Sequence, residues 1–103
     1  EPGKAKELYK KTLSISDYYL AYENLANLLL RENPKEAETF IQETLRKLPQ
    51  NPRLWMLLAI AEYRLNKKEE ALVAAKNAYL LAPNETTQYL YSSLLNNKEI
   101  KFE

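Results

Sequence analysis

Glu69 and Glu70 are the most conspicuous pair of carboxylates in the 103-residue chain, and paired carboxylates are what general acid–base chemistry asks for. Neighbours on a helix point about 100° apart. The pair also opens a helical run, where acids suit the N-terminal dipole. The chain has no His and no Cys. Nucleophile–imidazole pairs and thiolate or imidazole metal sites are therefore out of reach, which leaves Glu, Asp, Lys or Tyr as the only bases. Glutamates alone make a poor metal set. No catalytic residue, metal ligand or cofactor site is expected, and the chain reads as non-enzymatic.

Other motifs have plainer readings beside them. Asn84-Glu85-Thr86 fits the N-glycosylation acceptor pattern, but an Asn before a helix followed by an acid is equally an N-cap with its first turn, and that reading is preferred. Five of the eight tyrosines lie in "DYYLAY" (17–22) and "TQYLYSS" (87–93). Aromatics can stack single-stranded bases when basic residues track the backbone. Here 15 Lys and Arg face 14 Asp and Glu, a net charge of +1. That balance gives no counterion-release drive, so no nucleic-acid partner is expected. Tyr22 and Tyr89 are expected to fill the place that Trp55 fills elsewhere, with Tyr18, Tyr19 and Tyr91 as surface or groove residues.

The elements that must position these groups are helical. One Gly is too few for a loop-rich or all-β chain. No apolar run approaches the roughly 18 residues needed to span a bilayer, so no direct membrane insertion is expected. "EPGKAKELYKK" (1–11) has no apolar signal-peptide core. The compartment stays unspecified, with cytoplasm as the default.

The chain repeats itself. Ala37 and Pro49 recur 34 residues later as Ala71 and Pro83. Tyr22, Leu25, Ala26 and Asn33 recur 33 later as Trp55, Leu58, Ala59 and Asn66. The one-residue difference falls in a turn, where an indel costs little. Two copies, 19–51 and 52–85, each split into two helices. Trp55, Leu58, Ala59 and Glu62 share one face; Ala71, Ala74, Ala75, Ala78 and Leu81 share another. Asn51-Pro52 reads as an N-cap with Pro at the first helical position. "NPKE" (33–36) and "NKKE" (66–69) have capping-box spacing. Pro49 and Pro83 stop the helices before them. "AKELYKKTL" (5–13) matches "AETFIQETL" (37–45), so 1–18 should hold the second helix of a preceding repeat. Residues 86–103 should form a capping helix or partial repeat. Six helices are expected, near 4–14, 18–31, 35–47, 52–65, 68–81 and 85–96, in one domain (1–103) that opens inside a repeat and so belongs to a longer protein.

Trp55-x-x-Leu58-Ala59, followed by Ala71, Ala78 and Pro83, resembles the tetratricopeptide repeat. Glu62 stands where that pattern has a tyrosine, with Tyr63 beside it, and Ala75 stands where it has an aromatic. In the first copy Tyr22, Leu25, Ala26, Ala37 and Pro49 match. The resemblance implies an all-α fold of antiparallel helix-turn-helix repeats, stacked as a short right-handed α-solenoid. Such pairs bury their apolar faces only by stacking.

The resemblance also implies a concave groove, lined by the first helix of each pair, that binds a peptide or helix. Carried over by alignment, its residues are Glu23, Asn24, Asn27 and Arg31, with Leu20 and Leu30, in the first copy. In the second they are Arg53, Met56, Leu57, Ile60, Tyr63 and Arg64. Thr87, Leu90, Tyr91 and Leu94 would extend the row. The Lys/Asn/Arg clamp by which some members hold chaperone C-terminal carboxylates is incomplete: Glu23 and Leu57 stand at two of its places. The expected role is a protein-interaction module with a protein or peptide partner. The alternative is a structural scaffold or self-association segment, as an appendage of a larger enzyme or envelope-assembly protein.

Overall fold

A computed structural model describes residues 19–97, and these are all-helical. The helices are α1 (Tyr19–Glu32), α2 (Pro34–Lys47), α3 (Pro52–Arg64), α4 (Lys68–Leu81) and α5 (Glu85–Leu95). No strand occurs among the described residues. Each boundary falls within one residue of its sequence expectation. The helix expected at 4–14 lies outside the described residues, as does the end of the last expected segment.

The stops are local chemistry. Leu48 and Ala82, each just before a proline, have φ/ψ of −127°/62° and −145°/82°. Proline's ring excludes its predecessor from the α region, so both helices end there. Their amides still bond back to Thr44 and Ala78, at 2.9 Å each. The same stop is thus built twice, 34 residues apart.

The starts are capped by asparagines. Asn33 Oδ1 accepts from the amides of Lys35 (3.1 Å) and Glu36 (3.3 Å). Asn51 Oδ1 accepts from Leu54 (3.2 Å), ahead of Pro52. Asn84 and Thr87 form a reciprocal capping box. Asn66 departs from expectation. It has φ 63° and ends α3 instead of starting α4, whose N-cap is Lys67 with no side-chain cap bond. The Asn66 amide bonds to Tyr63 O (3.1 Å) and the Lys67 amide to Glu62 O (2.8 Å), a Schellman closure. The extra residue of the second copy is absorbed this way, because Asn tolerates the left-handed region better than most residues.

Consecutive helices pack on one another, and α1 also lies against α3. The closest pairing is α3 with α4. Ala59 and Ala61 on α3 and Ala71, Ala74, Ala75 and Ala78 on α4 are buried, so the backbones approach with little side chain between them. Leu25, Leu29, Ile41 and Leu54 are the largest apolar side chains fully enclosed. Tyr22 is buried, stacked on Phe40 at 6.4 Å, with the Lys47 ammonium 5.8 Å above its ring. Trp55 is half-buried, its indole N–H donating to Pro49 O at 2.9 Å. Two expected core positions are open: Leu81 and Tyr89 are exposed. Among the described residues α5 packs chiefly on α4, which leaves the Tyr89 side of it without a neighbouring helix.

Candidate functional site

The expected groove residues divide by environment. Asn24, Arg31, Arg53 and Arg64 are exposed. Glu23, Asn27, Met56, Ile60 and Tyr63 are half-buried. Leu57 is 5% exposed and belongs to the core, as do Leu30 and Leu90. They sit on the edges of their helices that turn toward neighbouring helices, so they support the surface from beneath. Met56, Ile60 and Tyr63 both pack on that core and reach the surface.

Three of the charged residues tie α1 to α3. Glu23 Oε2 accepts from Asn51 Nδ2 at 2.9 Å, and its Oε1 lies 3.9 Å from Arg53 Nε. At the other end Arg64 donates to Leu30 O, in the last turn of α1, at 3.1 Å. These contacts hold the two helices side by side.

An open cleft of about 500 Å³ lies where the starts of α3 and α5 meet the end of α4. Arg53 and Met56 form one wall, with Pro52. Ala82, Asn84, Glu85 and Thr86 form the other, with Thr87 at its base. Thr87 was expected on a groove face, but it is 1% exposed. Its hydroxyl donates to Ala82 O at 2.6 Å and its amide bonds to Asn84 Oδ1 at 3.0 Å, so it locks the α4–α5 connection. Tyr91 is held by α4, stacked on Tyr79 at 5.9 Å. The cleft's second wall was invisible to helix-face alignment, because it is made of a turn and a helix start.

A second polar cluster was not foreseen. Glu38 on α2 is buried and accepts from Lys67 Nζ (3.0 and 2.8 Å) and Lys35 Nζ (3.0 Å). Burial pushes its carboxyl up, but the two lysines outweigh that and hold it below the usual value. Lys67 is raised by the same bond. Glu62 on α3 is buried too, and its Oε1 has no hydrogen-bond partner among the described residues. Burial, with the charges of Glu38 and Glu70 added, pushes Glu62 up to about 7. The sequence signal was an acid on an apolar face, at the place where the resembled pattern has a tyrosine.

No helix among the described residues is long and apolar enough to cross a membrane. No protein-family model matches the chain, and no curated protein matches it.

Proposed function

We propose that the chain is a non-enzymatic protein-interaction module of tetratricopeptide-repeat type, a short right-handed α-solenoid of about six helices that binds a peptide or helix across its first-of-pair helices. The observation that carries this reading is the surface made by α1 and α3. Half-buried Met56, Ile60 and Tyr63 lie on α3, exposed Asn24 and Arg31 and half-buried Asn27 lie on α1, which packs against it, and Arg53 and Met56 line the cleft at the start of α5. Apolar side chains would take a partner's side chains in this arrangement, and the amides and guanidiniums would hold its backbone or carboxylates. The test is peptide-display selection on the chain, counter-screened with the double variant Asn27→Ala/Ile60→Glu. Enrichment of one motif that the double variant loses supports the reading. Enrichment that survives it, or none, refutes it.

A scaffold role within a larger protein has one observation in its favour. Val73 and Leu80, two turns apart on α4, are 59% and 66% exposed. An apolar pair on one face is what packing against another domain or a second copy would use. Mass measured against concentration separates the self-association form of this reading from a monomeric binder.

A further inference from the structure

Two acids are buried where α2, α3 and the α3–α4 turn meet, and their circumstances are opposite. Glu38 is satisfied by Lys67 and Lys35. Glu62 is 4% exposed and its Oε1 has no partner among the described residues. Among the described residues Lys67 is the cation that faces it, and that ammonium is committed to both oxygens of Glu38. The other charges facing Glu62 are like charges, Glu38 from α2 and Glu70 from α4. A second buried carboxylate beside one already ionised is held back by desolvation and by repulsion.

We propose that this is a pH-responsive joint: Glu62 occupies the closed helix junction as a neutral carboxylic acid, and its ionisation loosens α3 from α2 and α4. A proton on the group removes both the buried charge and its repulsion from Glu38. The raised titration of Glu62, to about 7, agrees with the geometry. The direction follows from proton binding. Between the ordinary glutamate value of 4.5 and about 7, the folded chain holds a proton that the unfolded chain has lost. Stability therefore falls as pH rises through that window and levels off above it. The α1–α3 surface shares α3 with this joint, so its geometry is set partly by the protonation of Glu62.

The experiment is urea denaturation of the full 103-residue chain and of Glu62→Gln from pH 5 to 7.5. For the parent, the unfolding equilibrium constant should rise roughly ten- to fiftyfold across that range; the low end allows for solvent screening. Glu62→Gln should be nearly flat. Equal slopes for the two proteins would overturn the proposal. A second readout does not depend on the variant folding: carbon-13 NMR of the Glu62 carboxyl in the parent should titrate near 7, and a midpoint near 4.5 would overturn the proposal. Glu70→Gln, an exposed change, should lower that midpoint, and an unmoved midpoint would show that the charges do not act on the joint as proposed.

Discussion

Ala71→Phe tests the close approach of α3 and α4. Ala71 has no exposed surface and lies in the first turn of α4, its amide bonded to Lys67 O at 2.9 Å. One and two turns on, the inward positions are Ala74, Ala75 and Ala78, all buried. A phenyl ring here has no solvent to escape to, because Ala71 is fully enclosed. It must push α4 off its partner or force a strained rotamer. Overpacking of this kind costs about 1–3 kcal/mol, and a whole ring belongs at the upper end. In a domain of this size each kcal/mol shifts the melting temperature by about 4–8 °C, so a fall of roughly 10–20 °C is expected. Val73→Phe is the control: Val73 is 59% exposed on the same helix, and its substitution should stay within about 0.5 kcal/mol. The assay is a far-ultraviolet circular dichroism melt of all three proteins. An Ala71→Phe melt matching the parent would show slack at the α3–α4 interface and refute the reasoning.

Three further perturbations probe the connections. Asn51→Ala removes both the cap on Leu54 and the bond to Glu23, and should cost about 1–2 kcal/mol by urea denaturation; a loss below a few tenths would mean the α1–α3 tie contributes little. Thr87→Val keeps the shape but leaves Ala82 O and the Asn84 amide without their partner. It should cost about 1–3 kcal/mol and raise hydrogen exchange in α5 before the rest of the chain. At acid pH Glu38 governs. Its folded value lies below the ordinary 4.5, so its stabilisation is present above that value and is lost as pH falls through the folded one. Denaturation from pH 5 to 2.5 should show that loss in the parent and not in Glu38→Gln.

How much of this was legible in the sequence depended on how local each feature is. The proline stops at Leu48 and Ala82 and the caps at Asn33, Asn51 and Asn84 act within one turn of chain, and they lie where the spacing put them. Asn66 was misread because its alignment with Asn33 matched residue type and not backbone. The same side chain caps a helix at φ −156° and ends one at φ 63°. In the candidate site, alignment chose the helix face that carries Met56, Ile60 and Tyr63. It could not separate Leu57, on the buried edge of that face, from them.

For the described residues, the amino-acid order alone determined the all-helical character, the ends of the helices and the recurrence of one helix pair. Proline sterics, capping and 3.6-residue periodicity need only neighbours along the chain. The tertiary structure decided the rest. It brought Glu23 to Asn51 and Arg53, built a cleft wall from the α4–α5 turn, and buried Glu38 and Glu62 at one joint where Lys67 and Lys35 both bond to Glu38. Those partners are some 25 to 30 residues apart in sequence. Desolvation and charge pairing depend on what another helix places alongside, and that is settled only when the helices pack.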